Sequence, residues 1–443
     1  MATVAEVTVR SGRTRELALL GLAWVIIVLA IAQVDYHADF LDIPTMAAYG
    51  AGIAALMLAA HLTLRRVAPH ADPVLLPAVF TLNGVGIAEI RRIDCAEDTS
   101  FGTQQMIWAV LGVAVMIGVL LVLRDHRKLR RYTYTAGIVG LVLYLLPLVP
   151  GLGITVNGAR IWISIGGNSL QPGEFAKIAL VIFFAGYLVT NRDTLALAGP
   201  KVLGLRFPRV RDMGPLLIVW AAAMLIMVYE RDLGASLLFF SIFLGMLYVA
   251  TQRFSWVAIG MSLFFVGGAF AALTVPHVRG RFNAWLNALD AEVYSSGTSE
   301  QLVRGLFGMA SGGLFGTGLG QGRPDLVPYA ESDFIIASLG EELGLTGLMA
   351  ILTLYIIVVQ RAFRTSIGVR DGFGKLLAAG LGTSIAMQVF IVVGGVTRVI
   401  PLTGLTAPFL AYGGSSLLAN WLVIALLLRV SDQARRSTEA VSA

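Results

Sequence analysis

The sequence predicts an all-α, polytopic membrane protein with about twelve crossings, and three observations lead to that class. First, 57% of the residues are hydrophobic and only 14% are charged, whereas a water-facing domain usually carries about a quarter charged residues; mean hydropathy is +0.78. Second, the apolar residues fall in long runs such as 233–250 and 256–275, near the ~20 residues that a helix needs to cross ~30 Å of hydrocarbon. In lipid the backbone must satisfy its own hydrogen bonds, so these runs are helices. Third, the segments between the runs alternate between rich and poor in Lys and Arg.

The first run, 17–34, is too long for a signal-peptide core and lacks a small-residue cleavage site, so it is expected to stay as an anchor. Further spans lie at 45–64, 73–90, 105–123, 132–149 and 174–189, then at 213–229, 233–250, 256–275, 333–359, 376–396 and 406–428. With the N-terminus inside, that side holds Arg10, Arg13, Arg15, Arg65, Arg66, the clusters in 124–131 and 192–211, Arg253, and those in 361–375 and 429–436. These are about 23 of the 33 basic residues, the bias of a cytoplasmic face. Both termini are therefore expected in the cytoplasm. The basic surplus reads as a topology signal suited to anionic lipid heads, and not as a nucleic-acid surface. The single Cys95 excludes an internal disulfide and a Cys-based metal site. His37, His61, His70, His126 and His277 include no pair at helical ligand spacing, which argues against a zinc enzyme.

Two outside segments stand apart. Residues 151–173 are Gly-rich and include Asn157, Arg160, Trp162 and Gln171. Residues 276–332 form a loop far longer than a structural connection requires. That loop keeps Phe282, Trp285, Leu286, Leu302, Leu306 and Phe307, so helices lying on the outer leaflet are expected there. Charges beside apolar helices are functional candidates with a partner to be named. Glu174 and Lys177, three apart, share a helix face and can pair, either for chemistry or only for folding. Glu230, Arg231 and Asp232 form a tight turn, for which solvated side chains are the plainer reading of the first two. Asp333 heads a long helix and by spacing alone reads as a cap. Glu341 and Glu342 are adjacent, so they are expected to face different ways. The glycines at 316, 318, 320 and 322 follow no strand, so a dinucleotide loop is rejected in favour of backbone flexibility or close lipid approach.

Several segments together resemble the SEDS family, the polytopic glycosyltransferases of bacterial wall synthesis. They are NGARIWI at 157–163, QPGEFAK at 171–177, DLG at 232–234, SGGLFGTG at 311–318, SDFII at 332–336 with EELG at 341–344, PLTG at 401–404 and APFLAYGGSS at 407–416. The resemblance implies a ten-helix core over 69–430 that includes the long extracytoplasmic loop 276–332. Residues 1–68 would add a cytoplasmic segment and two extra N-terminal transmembrane helices, and 431–443 would be a short cytoplasmic tail. The extension, and the absence of a long tail, look like RodA-type elongation members of actinobacteria more than FtsW-type division members. Gly173, Arg231 and Ala411 depart from the usual family residues, and Gln104 stands where many members carry a basic residue.

The implied activity is polymerisation of lipid II into glycan strands at the outer face of the bacterial cytoplasmic membrane. A sugar hydroxyl must lose its proton as it attacks an anomeric carbon linked through pyrophosphate to a polyprenol. The resemblance makes Asp333 the general base. Arg160 and Lys177 are the leading cationic candidates for the departing phosphates, with Arg279 and Arg281 behind them. Glu174 would orient Lys177, Asp232 would orient a neighbouring basic or hydroxyl group, and Gln171 belongs to the same substrate-facing motif. No resident cofactor is named; a divalent cation, Mg2+ or Mn2+, could supplement the arginines. The implied partners are lipid II, the polyprenyl-pyrophosphate-linked glycan, membrane lipids and a class B penicillin-binding protein with transpeptidase activity. A lipid II flippase, an FtsW-like division enzyme and a scaffold without chemistry are the alternatives.

Overall fold

A computed structural model describes residues 12–37, 43–156, 158–192, 201–202, 205–206 and 214–442. Arg10, Asn157 and most of the basic segment 193–213 lie outside the described residues. A helix stands at each of the twelve expected spans: α1 (Arg13–His37), α2 (Ile43–Val67), α3 (Leu75–Glu97), α4 (Phe101–Val122), α5 (Thr133–Leu145), α6 (Gly173–Thr190), α7 (Gly214–Tyr229), α8 (Leu233–Thr251), α9 (Phe254–Thr274), α13 (Ile335–Gly368), α14 (Gly372–Val396) and α15 (Gly414–Ser442). Among the described residues nine helices are long and apolar enough to cross a membrane. The exceptions are α3, α5 and α7. The first carries Glu89, Arg91, Arg92 and Asp94, and the other two have only 13 and 16 residues.

The loop 276–332 contains the expected helices: α10 (Pro276–Leu286), α11 (Ala291–Ser295) and α12 (Glu300–Gly312). The last lies against α13 as well as facing outward. Its Gly305 receives Phe334 and its Gly312 touches the backbone of Gly340 and Glu341.

The Gly-rich segment 151–173 adds a small β element to the helical fold. This segment forms an antiparallel sheet of β1 (Gly153–Val156), β2 (Ala159–Ile165) and β3 (Asn168–Leu170), with Ile154 opposite Trp162 and Ser164 opposite Ser169. Gly158 at φ 78, and Gly166 and Gly167 at φ 58 and 86, make the turns, which L-residues with a Cβ adopt at a cost. A two-residue ladder also joins β4 (Lys201–Val202) and β5 (Leu205–Arg206).

Lipid tails are as apolar as Leu, so close packing rather than water exclusion joins these helices. On α4 and α15 the fit is reciprocal: Trp421 lies on Gly112 and Trp108 lies on Gly414, with no room for a methyl group at either glycine. In contrast, Gly260 is the only buried residue of α9. Helix α13 breaks at Gly344 (φ 65, ψ −172), so its outer segment and its longer inner segment have separate axes.

Candidate functional site

The turn between α7 and α8 is tight because Arg231 takes a left-handed φ of 63. It places Asp232 at the N-terminus of α8, where its carboxylate accepts the Ala235 amide at 2.8 Å. Glu230 is not solvated: it is 3% exposed, and its Oε1 has no hydrogen-bond partner. Burial, reinforced by Asp232, pushes the Glu230 carboxyl up to about 8.

Asp333 lies two residues before α13 and is not its cap, since Phe334 holds that position without a side-chain bond. Phe334 is fully buried, and its amide and that of Ser332 both donate to the Tyr329 carbonyl. Asp333 itself stays half-buried, with no hydrogen-bond partner for its carboxylate among the described residues. Gly404, at φ 75, passes so close that a Cβ there would lie 3.4 Å from Asp333 Oδ2.

Arg281 of α10 supplies the charge between these carboxylates. Its Nη1 donates to the Leu402 carbonyl at 2.8 Å. Burial lowers its pKa, while Asp232 and Asp333 raise it. Burial raises Asp333 to about 6, opposed by Arg281 and helped by Asp232. Asp232 is also raised to about 6 by burial, against the Ala235 amide and Arg281. His277 joins the cluster with an unpartnered buried Nε2, its pKa lowered by burial and then by Arg281 and Arg231.

A second polar centre adjoins the first. Lys177 Nζ donates to Glu174 at 2.7 Å and to Gln388 Oε1 at 2.8 Å, all three side chains being buried. Gln388 in turn donates to the Thr406 carbonyl at 3.0 Å, and the Gln171 amide donates to Ser415 Oγ at 2.9 Å. A cavity of about 20 Å³ opens between Tyr144, Gln171, Glu174, Lys177 and Leu405. The irregular segment before α15 ties the centres together, with Leu402 on Arg281, Gly404 beside Asp333 and Thr406 on Gln388. Non-helical backbone is tolerated at such depth where protein covers it or a cavity adjoins it.

Thus Asp232, Asp333 and Arg281 come together, with Glu174, Lys177 and Gln171 next to them. Arg160 reaches the same turn by its amide, 3.4 Å from the Glu230 carbonyl, while its guanidinium turns to the Val149 carbonyl at 3.3 Å. Arg279 is exposed and folds back onto the Leu273 carbonyl. The order of cationic candidates changes accordingly, with Arg281 now the cation beside the carboxylates. Gln388 and His277 were missed as site residues. A lone amide within the apolar run 376–396 was a usable signal for the first.

Two further expectations are corrected. The glycine loop is neither slack nor lipid-facing where it meets α13. Gly320 and Gly322 donate their amides to the Glu342 carboxylate at 2.7 and 3.1 Å, and Thr317 and Gly318 donate to the carbonyls of Glu341 and Glu342. Glu341 faces the same loop, accepting the Arg323 amide at 3.2 Å. Adjacent residues can do so because the loop wraps the helix turn that the break at Gly344 leaves with free carbonyls. Among the described residues no three His, Cys, Asp or Glu groups gather closely enough to hold a metal ion.

Comparison with known proteins gives a consistent likeness. The model of the cell cycle protein family FtsW/RodA/SpoVE matches residues 70–436. Peptidoglycan glycosyltransferase RodA of Mycobacterium tuberculosis is 50% identical over 433 residues, covering 96% of this chain and 91% of that protein. Stage V sporulation protein E of Bacillus subtilis is 34% identical over 338 residues, 76% of this chain and 88% of that one. Among solved structures, Thermus thermophilus RodA superposes with a TM-score of 0.59 at 24% identity, covering 82% of this chain and 96% of the other. A chain of a peptidoglycan synthase complex that coordinates polymerization and crosslinking gives 0.66 at 22% identity, covering 82% and 98%.

Proposed function

Because the chain belongs to the FtsW/RodA/SpoVE family, we propose that it is a RodA-like peptidoglycan glycosyltransferase, polymerising lipid II at the outer face of the bacterial cytoplasmic membrane during elongation. The observation that carries the chemistry is Asp333: half-buried, free of hydrogen bonds to the described residues, and beside Arg281. A carboxylate so placed can accept the proton of a sugar hydroxyl as that oxygen bonds to the anomeric carbon. The carbon–oxygen bond to pyrophosphate breaks, and the polyprenyl pyrophosphate leaves with the electron pair. Arg281 is the fixed cation nearest the base and is our choice to stabilise that charge. Asp232 balances Arg281, while Glu174 and Gln388 hold Lys177 at the edge of the adjacent cavity. Arg160 and Arg279 belong to the outer rim of the substrate path, and Gln171 to its wall.

Two carboxylates around a guanidinium are not a closed ligand set, and Mg2+ or Mn2+ would need the substrate's own phosphate oxygens to complete its shell. Elongation is favoured over division by the higher identity to RodA than to the division-type relatives, which stand at 31–32%. A class B penicillin-binding protein is the proposed partner, consistent with the synthase complex among the structural neighbours. Both termini are assigned to the cytoplasm from the basic bias of the loops.

The test is polymerisation of lipid II by purified protein in detergent, where there are no two sides to cross and transport alone yields no polymer. Asp333→Asn and Asp333→Ala should lose about 100-fold or more of the rate while remaining membrane-inserted and monodisperse. Polymer at the wild-type rate from Asp333→Ala would remove the base assignment.

A further inference from the structure

The family match begins at residue 70, so α1 and α2 are an addition to the shared core, yet they are built into it at one particular place. Near the end of α3, two consecutive arginines point to different partners. Arg91 makes a two-pronged pair with the fully buried Asp35 of α1, at 2.7 and 3.1 Å, and lies 5.1 Å above the Tyr49 ring of α2. Arg92 donates to Glu342 of α13 at 3.1 Å and to the Gly322 carbonyl at 2.7 Å. The glycine loop also backs directly onto α1. A Cβ on Gly320 would lie 3.0 Å from His37 Cβ and 3.4 Å from Val34 Cα, and Gln321 Nε2 sits 3.2 Å from His37 Nε2. The loop is therefore held between α1 on one side and Glu342 on the other, with α3 pinning both.

We propose that the N-terminal helix pair is a positioning element of the glycosyl transfer. Helix α1, through Asp35 and its contact with Gly320, holds the glycine loop against Glu342, and thereby fixes the first segment of α13 that presents Asp333. Residues 335–343 are helical up to the break at Gly344, so a grip on Glu342 sets the axis on which Asp333 stands nine positions earlier. The break decouples this segment from the rest of α13, so the loop braces it at Glu342 while Ser338 ties it to Glu89 of α3. Asp35 touches no reacting atom; it acts through Arg91 and the loop. The inference rests on the reading of Asp333 as the base.

The experiment uses the full-length protein in detergent, comparing wild type, Asp35→Asn, and the swap of Asp35→Arg with Arg91→Asp. Hydrogen exchange at the amides of Gly320 and Gly322 reports the brace without reference to activity. Steady-state polymerisation of lipid II reports its effect on the reaction. Asp35→Asn should exchange faster at those two amides and lose roughly tenfold in kcat, with KM for lipid II unchanged because substrate contacts are not altered. The swap should restore protection and turnover. Should Asp35→Asn fail to accumulate, Gly320→Ala disturbs the same contact from the loop side and is read in the same way. Wild-type exchange at Gly320 and Gly322 in these variants overturns the proposal, as does faster exchange with kcat unchanged. If the wild-type protein makes no polymer, the functional reading falls by itself, and the exchange data still decide whether α1 braces the loop.

Discussion

Arg281 acts electrostatically on both Asp232 and Asp333, and its charge keeps the Asp333 carboxyl from rising further than about 6. The ionised carboxylate is the form that accepts a proton, so polymerisation should fall as pH drops below about 6, roughly tenfold per unit. Arg281→Ala removes the group that lowers Asp333, so the acid limb of the pH–rate profile should move to higher pH; Arg281→Lys, which keeps the charge, should leave it in place. A limb that stays put in Arg281→Ala would show that the two groups are not coupled. Glu230 gives the opposite kind of test. Its folded-state carboxyl sits at about 8, above the ordinary 4.5, so between these values the native state binds the extra proton and stability declines as pH rises. Glu230→Gln, which mimics the neutral acid, should flatten the fall in Tm between pH 5 and 8. Asp232 stood out in the sequence because charge at the end of an apolar run is conspicuous, whereas Asp333 by spacing alone read as a cap and only the family resemblance singled it out. Arg281 stood behind other cations there, since 276–332 holds several arginines in a polar setting, and only the packing of α10 against the 401–404 backbone selects one.

Among elements, α6 and α14 meet at Glu174, Lys177 and Gln388. Breaking a buried pair leaves an uncompensated charge, so Lys177→Ala or Glu174→Ala alone should destabilise by about 3–5 kcal/mol. The exchanged pair, Glu174→Lys with Lys177→Glu, should recover the thermal midpoint. Recovery of polymerisation as well would mark the pair as structural, whereas a stable but inactive swap would mean that Lys177 must face the substrate from its own position. Helical spacing of three made this pair readable. The sheet of β1 to β3 was not, because a Gly-rich stretch of 20-odd residues has no apolar period long enough to separate strand from loop. The glycine loop was misread for a related reason: alternating glycines announce unusual backbone, but only the partner, here the Glu342 carboxylate, says whether that backbone is slack or clamped.

For the molecule as a whole, twelve runs of apolar length were enough to locate twelve helices, since lipid leaves a long hydrophobic segment few alternatives. Their order in space was beyond reach, because the seams rest on glycine notches such as those at Gly112 and Gly414, which hydropathy does not register. The single thiol offers a check on orientation. Cys95 is exposed at the end of α3, which the basic-loop bias puts outside, so a membrane-impermeant maleimide should label it on intact spheroplasts. Labelling confined to inverted vesicles would reverse the assigned topology. Helix α9 is the feature with the widest reach. With Gly260 alone buried, it has little protein to set its tilt, and a span in that situation leans according to the thickness of the surrounding bilayer. Only Val275 separates it from α10, the helix that carries Arg281. Acyl-chain length should thus reach Arg281 as a mechanical input, and polymerisation compared in short- and long-chain nanodiscs would register it.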